Sequence, residues 1–463
     1  MRTSARMAVR AYVSMQIIII GGGETGFALA KALAPGHAIF VIDHDSTVGD
    51  RFSSLDVEFL TGSGTNDELL RRAKIETTDL FIACTGLDEV NIVSCALAHQ
   101  LSSSKSICFV SNDDFLRSEN QVNILHTHFG IDRVVWPEAQ LAADIERIIA
   151  APGAIDAEVF AEGQVKLLEY RLEPGSPMLA AQISALNLPD GAVIVAVKHK
   201  DVISIPRGSK QLQPGDKIIV MGTSEAMNTI QEMLGLSDIS DSEQFVTIVG
   251  GGDVGFQVAQ HLDSLPNVKL RVIERDPNRS EMLASVLDRA LVLNGDGTDL
   301  ELLESEEIGQ SDVLISVINN DGKNLLTSLL GRQLGVRKVI SRVSETANLR
   351  LFERVGIDVA ISARGAAVAS IVHQIEGGKA TLLAVLEEGQ AQILEVVVPD
   401  GYPSTPLSAM TAPPDSIVGA IVREGQTIVP RGRDVIRAAD HLLIFCTTDS
   451  ADIVRDYFTS TSR

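Results

Sequence analysis

The stretch IIIIGGGETGFALA, Ile17 to Ala30, reads as a buried strand that turns on glycines directly into a helix. Gly21, Gly23 and Gly26 satisfy the pattern G-x-G-x-x-G. The first glycine permits the tight turn off the strand. The second lets a phosphate approach bare backbone, and the third allows the helix to pack closely on the sheet. Exposed N–H groups and the positive end of the helix then hold a pyrophosphate. Much later, TIVGGGDVGFQVA, Thr247 to Ala259, repeats the pattern with Gly250, Gly252 and Gly255.

The repetition extends along the chain in a fixed order. IFVIDHD (Ile39 to Asp45) matches LRVIERD (Leu270 to Asp276), and LTGSGTNDELL (Leu60 to Leu70) matches LNGDGTDLELL (Leu293 to Leu303). DLFIACTGLDEVN (Asp79 to Asn91) matches DVLISVINNDGKN (Asp312 to Asn324). A second pair follows: Ala196 to Gly222 aligns with Ile421 to Cys446 and shares Pro-Arg-Gly. Short strands of four to six apolar residues alternating with helical patterns give the βαβ rhythm of a parallel sheet. Alternating Val and Ile runs between glycine and charged turns mark small β-rich domains. The expected fold class is α/β, with two Rossmann-like parallel-sheet domains, each followed by a small β-rich α+β domain. The expected boundaries are 1–14 for a disordered extension, 15–150 and 155–236 for the first pair, 237–244 for a linker, and 245–377 and 380–463 for the second pair. Each large module ends in a helix, after Trp136 and after Ser362. Leu141, Ile145, Ile148 and Ile149 fall on one stripe, as do Val368, Ile371, Val372 and Ile375, suiting either core or a face against another subunit.

Composition bounds the function. The 463 residues include 45% hydrophobic and 22% charged, as soluble globular chains do. A formal net charge of −22 argues against nonspecific binding to nucleic acid or to an anionic membrane surface. No uncharged apolar run approaches the roughly 18 residues that cross a bilayer. The opening MRTSARMAVRAYVSM carries three arginines and no acid, without the apolar core of a targeting segment. Cys84, Cys95, Cys108 and Cys446 are scattered in apolar surroundings and read as buried, reduced thiols.

The acidic partner of a dinucleotide site is present in both copies. Asp43 ends the second strand of copy one, and Glu274 occupies the equivalent place in copy two. A carboxylate there accepts ribose hydroxyls and repels a 2′-phosphate, which favours NAD or ATP over NADP. Position two of the helix turn is also acidic in both copies, Glu24 and Asp253, which stabilises the helix N-terminus but stands near the phosphate position. The reading is modest affinity, or a side chain that swings away. The turns TGSGT and NGDGT lie at the carboxyl edge, where the adenosine end of a ligand would rest. Thr85, Asp88 and Asn91, with Asn319, Asp321 and Asn324, line the same edge, as ligand contacts or as caps and turns. The candidate cradle of copy one is Gly21, Gly22, Gly23, Glu24, Thr25, Gly26, Asp43, Gly62, Ser63 and Thr85. That of copy two is Gly250, Gly252, Asp253, Val254, Gly255, Glu274, Asp296, Gly297 and Asn319. No metal site, nucleophile motif or P-loop appears, so no catalytic residue is assigned and the chain is not expected to be an enzyme.

The four-part order, the two glycine turns, Asp43 with Glu274, the GDGT turn and the paired Pro-Arg-Gly segments resemble the TrkA family, peripheral potassium uptake proteins built from tandem RCK (KTN) modules. The resemblance runs from about Met15 to the end of the chain. It implies a cytoplasmic regulatory subunit, peripheral on the inner face of the membrane. It also implies a homo-oligomeric RCK ring, a tetramer of tandem chains, on a TrkH- or TrkG-like potassium-translocating subunit. NAD(H), with ATP or ADP as alternatives, would bind the large lobes and bias the ring between conformations. Ser63 opposite Asp296, and the acidic Glu24 and Asp253, depart from the family pattern and leave open which copy binds which nucleotide. A sensor acting on another cation transporter and an NAD-dependent oxidoreductase are the alternative functions.

Overall fold

The computed structural model describes residues 15–112, 115, 119–151, 153–200, 202–236, 243–345, 348–375 and 380–460. The expected extension 1–14 and residues 237–242 of the expected linker lie outside the described residues. Two compact units are present: residues up to 140 together with 362–368, and the remainder of the chain.

The first unit holds β1 (Gln16–Ile20), β2 (Ala38–Asp43), β3 (Val57–Thr61), β4 (Leu80–Ala83), β5 (Lys105–Phe109) and β6 (Arg133–Val135). They form one parallel sheet in the order β3-β2-β1-β4-β5-β6. Ile17 to Ile20 are fully buried, as an isoleucine run in a central strand covered on both faces must be. The order reverses direction between β1 and β4. Crossover helices leave that point on opposite faces, so a crevice opens at the carboxyl ends of these two strands. The helix Glu24–Leu33 begins there and buries Gly26, Leu29, Ala30 and Leu33.

The second unit contains three sheets. β7 (Asp156–Phe160), β8 (Val165–Arg171), β9 (Ala192–His199), β10 (Val202–Ser204) and β11 (Lys217–Gly222) are antiparallel in the order β10-β9-β11-β8-β7. β12 (Gln244–Val249), β13 (Val268–Glu274), β14 (Leu291–Asn294), β15 (Val313–Ser316), β16 (Lys338–Arg342) and β17 (Val359–Ile361) repeat the parallel sheet, ordered β14-β13-β12-β15-β16-β17. β18 (Ala380–Leu386), β19 (Ala391–Val397), β20 (Ser416–Arg423), β21 (Gln426–Ile428) and β22 (His441–Thr447) repeat the antiparallel one, ordered β18-β19-β22-β20-β21. The two antiparallel sheets share one core, with Leu167, Ile219 and Met221 from the first and Ile393, Leu443 and Phe445 from the second.

One local difference separates the copies. After β13 the chain forms an α-helix, Pro277–Val286, with Pro277 in its first turn and the Asp276 carboxylate accepting from Asn278 N and Arg279 N. The matching segment of copy one, Ser46–Phe52, winds instead as a 3₁₀ helix. Gly49 sits in its middle, where a Cβ would come within 3.0 Å of the Phe59 ring. Together with β-branched Thr47 and Val48, it offers poor α-helical propensity. The helix Pro137–Ile149 buries Leu141, Ile145, Ile148 and Ile149, and Ile371 and Val372 of Ala363–Ile375 are buried too. The first stripe is therefore core of this chain, and the second is so at Ile371 and Val372, with Val368 and Ile375 half-buried.

Where the helix Pro137–Ile149 hands over to β7, Arg147 pairs with Asp144, lies 3.6 Å from Glu158, and donates its Nε to the Ala157 carbonyl at 3.1 Å. Burial pushes Asp156 up to about 6, with the Glu158 carboxylate adding to the rise. It pushes Asp144 up to about 6 as well, Arg147 acting in the opposite direction. The folded chain thus retains protons that the unfolded chain releases near pH 4. Their stabilising contribution is complete below about pH 4 and fades as pH rises through about 6. Asp156→Asn should therefore gain on the parent by about 1–3 kcal/mol between pH 4.5 and 7. Thermal unfolding midpoints of the two proteins across that range check this, and a parallel pair of curves would refute it.

Candidate functional site: the two glycine cradles

In copy one Gly21 leaves β1 at φ +107°, a conformation glycine adopts without strain, and its N–H donates to the Ile42 carbonyl at 2.8 Å. Copy two repeats this at Gly250, with φ +106° and 2.9 Å to the Ile273 carbonyl. At the third glycines a Cβ would lie 1.8 Å from a carbonyl oxygen, of Gly21 for Gly26 and of Gly250 for Gly255. At the second glycines, Gly23 and Gly252, a Cβ would meet nothing within 4 Å. The three positions therefore divide as a turn, an open face and a backbone contact.

The helices that open there, Glu24–Leu33 and Asp253–Asp263, have no side-chain cap on their first-turn amides. Asp67–Arg72, Pro277–Val286 and Asp321–Leu334, by contrast, are capped by Asn66, Asp276 and Asn320. Uncapped N–H groups beside open space are donors left for an anion. The backbone at Glu24, Thr25 and Gly26, and at Asp253, Val254 and Gly255, supplies them. The Val254 side chain itself is buried and offers a ligand only its amide.

The acids at the ends of β2 and β13 are held in place by backbone. Asp43 accepts from Gly22 N at 2.6 Å and from Asp45 N at 2.8 Å. Glu274 accepts from Gly251 N at 2.7 Å and from Asp276 N at 2.8 Å. Each carboxylate oxygen retains a lone pair, so ribose hydroxyls can still donate to them.

The first-turn acids each lie beside an arginine. Glu24 pairs with Arg51 at 2.6 Å, and Asp253 lies 3.5 Å from Arg279. Each arginine stacks over the phenylalanine one turn into the same helix, Arg51 over Phe27 at 4.9 Å and Arg279 over Phe256 at 5.4 Å. Arg279 also donates its Nε to the Gly251 carbonyl at 2.7 Å. Sequence reasoning missed both arginines. They occupy different positions in the repeat alignment, and only the shared G-F step at 26–27 and 255–256 hinted at an aromatic platform.

Ser63 and Asp296 fold their turns in the same way. Ser63 Oγ accepts from Thr65 N at 3.2 Å, and Asp296 accepts from Thr298 N at 3.0 Å. Asp296 additionally holds Lys323 at 3.0 Å, with Arg275 at 3.8 Å, and hydrogen bonds led by the Thr298 hydroxyl draw its pKa down to about 2. Gly62 is needed for backbone at φ +150°, and Gly297 for packing, since a Cβ there would lie 2.0 Å from Val249.

At the fourth strands the edge residues part company. Asn319 is exposed, and Thr85 hydrogen-bonds through its hydroxyl and N–H to Asn91 at 2.7 and 2.9 Å. Asn91 and Asn324 are fully buried and serve structure. Asn324 accepts from Ile318 N at 2.8 Å and from Ser316 Oγ at 2.9 Å, and donates to the carbonyls of Ile318 and Arg342 at 2.7 and 3.0 Å. Asn91 donates to the carbonyls of Thr85 and Phe109 at 3.1 and 3.0 Å. Asp88 and Asp321 accept from the backbone that follows β5 and β16, at Asn112 N (2.7 Å) and Ser344 N (2.7 Å). The D-x-x-N segment thus splints adjacent strand ends together. All four cysteines are free thiols, and burial pushes Cys84 and Cys446 up to about 12. Among the described residues no cluster suited to a metal ion exists, and no helix is long and apolar enough to cross a membrane.

Models of the TrkA-N domain match residues 17–137 and 246–363, and a model of the TrkA-C domain matches residues 167–235. The Trk system potassium uptake protein TrkA homolog 1 of Methanosarcina mazei is 37% identical over 453 residues, covering 96% of this chain and 100% of its own. The Archaeoglobus fulgidus TrkA homolog is 34% identical, covering 96% and 100%, and TrkA of Haemophilus influenzae 29%, covering 93% and 95%. Among solved structures, the GsuK RCK domain superposes with a TM-score of 0.59 at 18% identity, covering 97% of this chain and 96% of that one. The GsuK channel bound to NAD gives 0.58 at 17%, covering 97% and 80%.

Burial and bonding at Asn324 carry a stability consequence. Asn324→Ala strands two carbonyls, an N–H and a hydroxyl away from water, at about 1–3 kcal/mol for each group left unpaired. It should lower the thermal midpoint well below that of a variant at exposed Asn319, and equal midpoints would contradict the splint.

Proposed function

We propose that this chain, which belongs to the TrkA family, is the nucleotide-binding regulatory subunit of a Trk-type potassium uptake system. The family is regulatory rather than enzymatic. One observation carries the nucleotide reading: two uncapped helix N-termini each face open space at Gly23 or Gly252, beside a carboxylate fixed by backbone at the neighbouring strand end. NAD(H) is the ligand we favour, with its pyrophosphate on the first-turn amides and an adenosine ribose on Asp43 or Glu274; ATP and ADP share that half of the geometry. The known NAD complex of a structurally similar channel supports the choice of class.

On this reading residues 15–150 with 155–236, and 245–377 with 380–463, are two RCK modules. The modules assemble with further copies into a ring on the cytoplasmic face of a TrkH- or TrkG-like potassium-translocating subunit. The candidate residues at 62–63, 85, 296–297 and 319 line the rim of the crevices. Bound nucleotide shifts the ring between conformations only by its difference in affinity for them, about 1.4 kcal/mol for each tenfold preference.

A specific contrast favours different ligands in the two copies. Copy two brings Lys323, Arg275 and Arg279 to its crevice, where copy one has Val90 and His44 at the first two matching positions and, among the described residues, Arg51 as the strong cation. The more cationic rim suits a polyphosphate, the less cationic one a dinucleotide.

Calorimetry with NAD, NADH, ADP and ATP on the parent, Gly23→Val and Gly252→Val tests both statements. Each variant should keep its thermal midpoint, because the new side chain points into open space, and lose at least tenfold in affinity at its own copy. Gly23→Val, which leaves copy two, should retain the higher ratio of ATP to NAD affinity. Parent-like binding of all four nucleotides by both variants would end the cradle assignment. Nucleotide-independent potassium flux in vesicles carrying the membrane partner would end the regulatory one.

A further inference from the structure

The two antiparallel sheets bury the same positions against each other. Phe160 and Leu386, Leu167 and Ile393, Ile219 and Leu443, and Met221 and Phe445 are counterparts in the repeat, and all enter the shared core. A contact made of one patch from both sides is isologous, as in a twofold dimer. Nothing in such a surface alone distinguishes first-with-second pairing inside a chain from first-with-first or second-with-second pairing between two copies.

Two features break the equivalence. Lys198 on β9 donates its Nζ to Glu387 in the turn after β18, with side chains only 9% and 4% exposed. Lys217 joins them, 3.4 Å from Glu387 and 3.0 Å from Glu169. Counting from the shared Pro-Arg-Gly, the counterpart of Lys198 is Val422. The counterpart of Glu387 is Ala161, at the same left-handed turn position, φ +50° against +49°. Ala161 too packs against the shared core. Charge therefore meets charge on one side of the pseudo-axis, and the matching positions on the other, Ala161 and Val422, carry no charge.

The second feature is steric. Each sheet carries a bulge at the same place, skipping Val195 in the β9–β11 register and Gly419 in the β20–β22 register. A Cβ on Gly419 would lie 2.4 Å from Met221 Sδ and 3.3 Å from Val195 Cγ1. The glycine makes room for the valine opposite.

We infer that these residues key the two sheets to each other as first with second within one chain, and against like-with-like pairing between copies. Two first sheets would set each Lys198 against Ala161 and crowd two valines at the axis. Two second sheets would bury each Glu387 against Val422 and leave a void between glycines. A buried charge stripped of its partner is strongly disfavoured, and specifying register or partner is the best-attested role of such pairs. The surface thus selects a second sheet for a first and disfavours like sheets of neighbouring copies, while linkage in one chain keeps the matching partner at hand.

Oxidative cross-linking of the full chain tests this. Gln164 and Thr427 meet across the two sheets, with side-chain oxygens 3.0 Å apart, so Gln164→Cys and Thr427→Cys report the pairing. Both substitutions in one chain should give a bond within that chain. The same substitutions on separate, co-expressed chains should give almost none between chains. Adding E387K to the Thr427→Cys chain and K198E to the Gln164→Cys chain should raise the chain-to-chain product at least tenfold, because only the exchanged pair now matches. Efficient linking of separate chains with native Lys198 and Glu387, or no gain on reversal, would overturn the inference. Should charge reversal prevent folding, Glu387→Ala in the single-chain reporter should lower the internal bond at least threefold, and added Lys198→Val should restore it. An unchanged yield in Glu387→Ala would also overturn it.

Discussion

The backbone-on-backbone contact at the third glycine positions everything else in each cradle. With a Cβ 1.8 Å from a carbonyl oxygen excluded, only glycine lets the helix seat against the turn at Gly26 and Gly255. That seating aims the first-turn amides across the ends of β1 and β12. It also brings the turn within reach of the neighbouring strand, so Asp43 can accept from Gly22 N and Glu274 from Gly251 N. A single added methyl would push the helix away by more than an ångström and loosen both connections. The fold and the site thus depend on the same contact.

Around that fixed point the two copies reach equivalent ends with different residues. A serine hydroxyl folds one rim turn and an aspartate the other. A 3₁₀ segment delivers Arg51, and the first turn of an α-helix delivers Arg279, yet both guanidinium groups rest on a phenylalanine beside an acidic helix start. Gly215 takes φ +84° before β11, while Ala439 accepts φ +64° at the matching place before β22. Divergence has been tolerated where a side chain can be replaced by another with similar reach. It has not been tolerated at Gly26 and Gly255, where the cradle's backbone touches backbone.

The parallel sheets and the glycine turns were legible in the sequence because they rest on local patterns: apolar runs of strand length, glycines at fixed spacing, and an acid one strand later. The buried roles of Asn91 and Asn324 were only half legible. Their spacing from the aspartates was visible, but contact with the last carbonyls of β5 and β16 is a tertiary fact that no local period encodes. The arginine partners of Glu24 and Asp253 were illegible for a related reason: equivalent contacts come from non-equivalent positions. The face-to-face union of the small sheets left no trace in hydrophobic alternation, which shows that a face is buried but not against what.

Those arginines change how the acidic helix starts should be understood. A carboxylate beside a phosphate site would oppose binding if it were free. Paired with Arg51 or Arg279 it is already neutralised, and an incoming phosphate has a guanidinium within reach that can exchange one anion for another. Such an exchange gains little net electrostatic energy, since an ion pair is broken for each one formed. On the proposed function this is an advantage. A nucleotide held by modest net energy leaves the cradle readily, and a ring that repeats the site can add several small preferences into a decisive shift between its states.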